Sequence, residues 1–425
     1  MQRAEKDSMR HGETTRLFGW ALALGLLTAP ALDAQDRWVV MADHVYTAAG
    51  DAIEGGTVVV EGGTIAAVGP GLGDDDDEGT LRVAAVTPGL IDLSVRLDTG
   101  DFSVEQSTEI GMEYSVAESI DFFSYQWGRQ VRSGVTTVLA TPRDMNVIGG
   151  LCTVVKTAGA PTLAAREVAS GAALRASLGP QPSSGNYAPR GGPPTSFYGR
   201  RPTTRMGVEW VFRKAYYDAI NAERFELDVD ELGAERNAVL MRTLRDGLPV
   251  VIQAKGTQDV RTAVYLKEEF GIQNVVLDAA AEASKELELV RRSGVGVVLP
   301  PVPKDGRLPD GFVPDTYFVA LDSAAKLHEL GVPVALSAHG ASEPGERLAR
   351  QAGYAMRGGL SFDDALAAVT ITPARMVGVD DRIGSIEVGK DADLVLWSGT
   401  PFEPTSNVLG VLVDGELVLD PRSDD

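Results

Sequence analysis

Residues 88–96 read Pro88-Gly89-Leu90-Ile91-Asp92-Leu93-Ser94-Val95-Arg96. Val83 to Leu93 is strand-like, and Ser94 and Arg96 then put a hydroxyl and a guanidinium at its end. Moving outward, a helical stretch surrounds Glu118 to Arg132, and Gly134-Val-Thr-Thr-Val-Leu-Ala140 reads as a buried strand. Residues 208–246 are mostly helical and run into the strand Leu248 to Gln253. Helical and strand-like segments then alternate: Thr257–Phe270, Asn274–Leu277, Ala279–Arg292, Gly296–Pro300, Ala320–Leu330 and Val332–Leu336. Glu346–Gly358 and Phe362–Thr370 are helical again. This alternation predicts a parallel α/β domain, and a TIM-like (β/α)8 barrel fits its length.

The two ends read differently. Trp38 to Val68 holds short β-rich runs broken at Gly55-Gly56 and Glu61-Gly62-Gly63, the chemistry of hairpin turns. Ala392 to Trp397, Val408 to Val413 and Glu416 to Leu419 form a second β group, with Asp414-Gly415 as a hairpin signal. The expectation is one small composite β-sandwich formed by both termini. Residues 35–86 and 381–425 would supply it, around a barrel over 87–380. Residues 179–205, rich in Pro, Gly, Ser and Arg, read as a mobile surface loop or lid.

Composition bounds the function. The 425 residues carry a formal net charge of −21, which argues against nucleic acid or an anionic membrane surface as partner. The run Asp74 to Glu78 reads as a solvated loop. One cysteine, Cys152, excludes an intrachain disulfide; it sits in an apolar run and reads as a buried structural thiol. At the N-terminus, Arg10 and Arg16 precede the apolar run Leu17 to Leu27, which small residues follow up to Ala34. This is the pattern of a secretory signal peptide over residues 1–34, with cleavage near Ala34. It places the mature chain in a periplasm or outside the cell, with no membrane attachment after cleavage.

Several segments resemble the amidohydrolase superfamily, in its imidazolonepropionase-like branch. Pro88 to Asp92 is similar to the family's first barrel strand, and Ser133 to Val138 to its second. Asn146-Val-Ile-Gly-Gly150, Val154-Val-Lys-Thr157, Ser361 to Arg375 and Gly384 to Leu394 resemble further motifs of the branch. The resemblance implies a (β/α)8 barrel with a composite β domain. It also implies hydrolysis of amide C–N bonds by a zinc-activated water, with ligands at the ends of strands 1, 5, 6 and 8.

At the ligand positions the residues depart from that pattern. Ser94 and Arg96 replace the two histidines of strand 1; Gln253, Ala279 and His339 stand at the other three positions. The chain has four histidines: His11 in the leader, His44 in the N-terminal β region, His328 on a helix, and His339 at a strand end. The expectation is no metal cofactor, with zinc belonging to the family and its ligands not retained here. A weak oxygen site using Asp278, Asp92 or Glu343 is the alternative.

Arg96 and Lys255 are cations at strand ends that would stand in for the lost metal charge and keep Asp278 ionised. Ser94, Arg96, Gln253 and Lys255 are candidate ligand-binding residues, and His339 and Asp278 candidate catalytic ones. A serine-hydrolase reading would need His339 as the base for Ser94. Arg143, Asp144, Arg205 and Arg213 lie in segments resembling substrate-side loops, whereas Tyr216-Tyr217 reads as core.

Three functions stay open. The first is a degenerate pseudoenzyme or partner subunit that pairs with an active relative or a second copy of itself. The second is an active C–N hydrolase rebuilt around His339. The third is a small-molecule binding protein using the barrel mouth.

Overall fold

Pro88-Gly89 joins two sheets. The computed structural model describes residues 37–72, 79–96, 105, 107–183, 201–302, 307–309, 316–341 and 346–422. They belong to the compact unit Gln35–Asp425. The N-terminal segment expected to be a signal peptide, with His11, the acidic run 74–78, residues 184–200 of the Pro/Gly-rich segment, and Glu343 lie outside the described residues.

The first sheet draws on both ends of the chain. Strands β1 (Arg37–Val45), β2 (Ile53–Glu61), β3 (Thr64–Pro70) and β4 (Thr80–Pro88) come from the N-terminal side. In chain order, β5 (Leu90–Val95), β6 (Val135–Ala140), β7 (Ile148–Lys156), β8 (Glu167–Ser177), β9 (Val250–Gln253), β10 (Val275–Asp278), β11 (Gly296–Leu299), a small β12–β13 hairpin (Arg307–Pro309 and Thr316–Phe318) and β14 (Val334–Leu336) follow. Strands β15 (Leu394–Trp397), β16 (Val408–Val413) and β17 (Glu416–Leu419) return to the first sheet. Its order is β17-β16-β15-β4-β1-β2-β3, with β15 antiparallel to β4 through Leu394↔Pro88 and Trp397↔Ala85. Asp414 and Gly415 both take positive φ, 48° and 76°, and turn β16 into β17. Gly55-Gly56 is not a turn: both residues lie inside β2. A Cβ on Gly56 would come within 2.6 Å of the Val45 side chain, so glycine there permits the close approach of β1.

The second sheet is an eight-stranded, nearly closed barrel in the order β14-β11-β10-β9-β8-β7-β6-β5. It departs from simple strand–helix alternation at one place. β7 runs antiparallel to both β6 and β8. The connections, residues 141–147 and 157–166, are shorter than the dozen or so residues a parallel crossover needs. Elsewhere helices such as Arg205–Arg224, Glu231–Arg245 and Thr257–Phe270 pack outside the strands. Thr204 and Asp230 cap the first two through side-chain oxygens. No helix among the described residues is long and apolar enough to cross a membrane.

Leu93, Leu139, Cys152, Val154, Ala173, Val251, Val276, Val298 and Ala335 fill the barrel interior. Tyr216 is core, stacked on Phe212 and Phe270, whereas Tyr217 is exposed and bonds Glu269. The two sheets are tied by Lys156 on β7. Its buried amine lies 3.0 Å from Asp391, 2.7 Å from Asp393 and 2.9 Å from Asp414. The lysine of Val-Val-Lys-Thr157 thus meets the aspartates of the Gly384–Leu394 motif.

Candidate functional site

The carboxyl ends of the barrel strands gather a buried charge cluster. Ser94 lies near the end of β5, within a register shift in its pairing with β6, and Arg96 follows the strand. Arg175 and Ser177 lie at the end of β8, Gln253 ends β9, Asp278 ends β10, and Ser337 to His339 follow β14. Asp144, between β6 and β7, reaches into the same space.

Arg175 is its centre. Its side chain is 1% exposed. Nε and Nη2 donate to Asp144 Oδ1 at 2.8 and 2.6 Å, and Nη2 donates to Asp278 Oδ2 at 2.6 Å. Asp144 Oδ2 accepts from Gln253 Nε2 at 2.7 Å and from Arg96 Nη2. Asp278 Oδ2 also accepts from Ser94 Oγ at 2.9 Å. The cluster therefore joins Ser94, Arg96, Gln253 and Asp278 through two residues, Asp144 and Arg175. Lys255 acts on it electrostatically, on Asp144 and on His339.

Burial opposes ionisation of Asp144, but Arg175 and Arg96 outweigh it and hold its pKa down at about 2. Burial likewise opposes Asp278, and Arg175 again prevails, so its pKa lies below the ordinary value. Cys152 sits beside the cluster, and burial pushes its thiol up to about 12. That suits a packing thiol, not a nucleophile.

His339 is presented by a strained turn. It takes φ = 52°, uncommon for a residue with a side chain, and Gly340 follows at 75°. Asp92, fully buried, organises this turn: its carboxylate accepts from Ser337 Oγ at 2.6 Å, Ala338 N at 3.0 Å and Gly340 N at 3.3 Å, and from Ser94 N at 3.2 Å. Burial raises its pKa, while these donors pull the other way. The residue as a whole is half-buried, and its imidazole Nε2 is buried without a partner among the described residues. Burial first, then Arg96 and Lys255, push its pKa down to about 4 against the pull of Asp278. His339 is neutral at physiological pH, and Ser94 gives its hydroxyl hydrogen to Asp278.

The other named candidates lie elsewhere. Arg205 pairs with Asp259, and Arg213 with Glu209 and Glu269, on the helical flank. His328 is exposed and pairs with Asp364; His44 is exposed on β1. Sequence reasoning missed Arg175 and underrated Asp144. The available signal was a lone charge inside the apolar run Ala172-Ala-Leu-Arg-Ala-Ser-Leu178. A cavity of about 540 Å³ opens at the opposite, amino-terminal face of the barrel, beside Gly247, Asn274, His328 and Arg375, and contains none of the charge cluster.

The arrangement does not fit a family-type zinc ion. Three of the four carboxylate oxygens of Asp144 and Asp278 are committed to guanidinium, amide or hydroxyl donors. Asp92 is spent on its turn. No group of three His, Cys, Asp or Glu side chains among the described residues is placed to hold a metal ion.

Residues 272–418 match the family model described as the amidohydrolase family. A crystal structure of an amidohydrolase from Thermotoga maritima superposes with a TM-score of 0.76 at 27% identity, covering 90% of this chain and 99% of that one. The amidohydrolase tasK of Hapsidospora irregularis is 25% identical over 52% of this chain. The imidazolonepropionase of Syntrophobacter fumaroxidans is 41% identical over 18% of it. These matches span only 24% and 19% of the length of the two curated relatives.

Proposed function

We propose, on the premise that this chain belongs to the amidohydrolase superfamily, that it keeps the hydrolase fold of the imidazolonepropionase-like branch without its metal-assisted hydrolysis. It acts as a non-catalytic subunit, exported to a periplasm or beyond, that pairs with an active relative. One observation carries this reading: the Arg175 guanidinium lies between Asp144 and Asp278 where the strand ends converge. A fixed cation there neutralises the carboxylates and holds the oxygens a metal would need. His339, the one imidazole at the mouth among the described residues, is too weakly basic to serve well as a general base near neutral pH.

Elemental analysis tests the reading on mature protein purified without a histidine tag or chelators, then dialysed against zinc. Substoichiometric metal and no turnover of amide or cyclic amide substrates are expected. A tightly held metal with metal-dependent hydrolysis would overturn the reading. Mass photometry of the chain, alone and mixed with an active relative, tests the subunit role. The expected result is a mixed complex, and separate species at every ratio would remove that part.

A second reading is binding of a small molecule at the mouth. Three buried polar atoms without partners among the described residues favour it: Arg175 Nη1, Asp278 Oδ1 and His339 Nε2.

A further inference from the structure

We infer that a pocket at the seam between the barrel and the composite sheet, lined by Arg166, is a site for a small carboxylate with an apolar body. The pocket has a volume of about 340 Å³. It opens where β7 ends. Lys156 pairs with Thr137 near the start of β6, so Thr157 and Gly159 lie at the amino-terminal face of the barrel. The helix Gln126–Arg132 and strand β17 supply further walls. The pocket shares no residue with the charge cluster at the opposite strand ends, so it stands or falls apart from the function proposed above.

Arg166 ends the short helix Leu163–Arg166 and is 7% exposed. Its hydrogen-bond partners among the described residues are all backbone carbonyls. Nε donates to Gly159 O and Ala160 O at 3.2 Å, Nη1 to Thr157 O at 3.2 Å, and Nη2 to Gly159 O at 2.8 Å. The guanidinium also lies over the rings of Phe122 and Trp127, 5.4 and 5.7 Å from their centroids. Carbonyls and ring faces hold a cation in place, but neither carries a net charge to neutralise it. Burial opposes the charge of Lys156 and of Arg175 as well, yet carboxylates outweigh it there. At Arg166 burial acts alone and lowers the pKa. Each Nη carries two hydrogens and spends one on these carbonyls, so two charged N–H donors remain.

The rest of the lining narrows the ligand. Buried Val131 and half-buried Val418 and Leu419 make apolar walls beside Phe122 and Trp127. Among the described residues no carboxylate lines the pocket, on a chain whose net charge is −21. Glu167, next to Arg166, is not part of the lining. Exposed Arg132 adds a second cation at the rim, and its side chain makes no ion pair. A carboxylate matches the guanidinium fork, and its single charge balances the one enclosed cation. A bare hydrated ion would leave the apolar walls unused. A neutral apolar molecule would leave Arg166 without a counter-charge. The volume sits at the lower end of the range of about 300–1,000 Å³ for small-molecule pockets, which suits a ligand of one ring.

Thermal shift and calorimetric titration with phenylacetate test the inference. Phenylacetamide serves as the probe without the charge, acetate as the probe without the apolar body, and inorganic phosphate as the compact dianion. Phenylacetate at about a hundredfold excess over its Kd is expected to raise Tm by roughly 3 °C, and the other three much less. Arg166→Gln is expected to weaken phenylacetate binding by at least about tenfold, the loss of a charged hydrogen bond. Because Arg166 also ties three carbonyls, a second variant narrows the pocket without touching it. Gly128 lines the pocket on the helix, and an added Cβ there meets nothing nearer than Arg132 Nη1 at 3.4 Å. Leucine is also the stronger helix former, so Gly128→Leu should fold and should weaken binding by at least about tenfold. No shift with phenylacetate, an equal shift with phenylacetamide, acetate or phosphate, or undiminished binding in Gly128→Leu or in folded Arg166→Gln would each overturn the assignment.

Discussion

Replacing Arg175 with Met removes the central charge while keeping most of the volume. Wild-type Arg175 makes two hydrogen bonds to Asp144 and one to Asp278. After the change Asp144 keeps Arg96 and Gln253, whereas Asp278 keeps the Ser94 hydroxyl and the more distant influence of His339 and Arg96. Asp278 thus becomes a buried carboxylate without a bonded cation. Removing one partner of a buried ion pair costs about 3–5 kcal/mol. That is a large share of the roughly 5–15 kcal/mol typical of a folded domain.

The stability of the variant also depends on pH. In wild type the Asp278 pKa lies below its unfolded value. Its contribution is present above that unfolded value and is lost as pH falls through the folded one. In Arg175→Met burial wins, and the folded pKa rises above the unfolded value. The penalty is then full at neutral pH and shrinks as pH falls through the raised pKa. Guanidinium unfolding followed by tryptophan fluorescence, at about pH 7 and about pH 4.5, measures the gap. A gap below about 1 kcal/mol, or one that does not narrow at low pH, would show that Arg175 does not hold the Asp278 charge in place. Arg175→Met with Asp278→Asn should recover part of the loss, because removing both members of a buried pair costs less than removing one. A double variant no more stable than the single one would count equally against it.

Three other outcomes are expected. Lys156→Met should cost about 3–5 kcal/mol, since the amine serves three carboxylates. Burial opposes its charge, but Asp393, Asp414 and Asp391 raise its pKa, so its stabilisation is lost only as pH rises through that raised value. The Lys156→Met deficit should therefore stay flat from about pH 6 to pH 9 in thermal melts. Cys152, with its thiol near pKa about 12, should resist a disulfide reagent in the native state at about pH 8, where roughly one thiol in ten thousand is ionised, and react on unfolding. The His339 ring resonance should stay in its neutral position through the range where an ordinary histidine titrates, moving only near about pH 4. Because its folded pKa is lowered, His339 costs stability progressively as pH falls below about 6.5. A midpoint near the ordinary histidine value would contradict its buried, cation-flanked setting.

The elements differ in how far local patterns foretold them. The Asp414-Gly415 hairpin was readable because positive φ at both turn residues selects those residue types. Gly55-Gly56 misled: the same composition serves close packing of two strands, and the steric demand comes from Val45, distant in sequence. The antiparallel β7 hid in a run of β-branched residues that fits either strand direction; connection length decides it. At the site, Ser94, Arg96, Gln253, Asp278 and His339 could be named because the family resemblance points to residues at or beside those strand ends. Arg175 could not, because nothing local marks why a strand should carry one guanidinium.

Read alone, the sequence foretold an alternating α/β barrel and one small β domain built from both termini. Both follow from hydrophobic periodicity and turn chemistry, which are local properties. Only the tertiary structure decided that Arg175, Asp144 and Asp278 form one network, and that Lys156 fastens the barrel to the composite sheet. Both depend on residues from separate strands meeting in a space closed to water. There an unpaired charge is too costly to keep, so each of these two cations sits on its carboxylates.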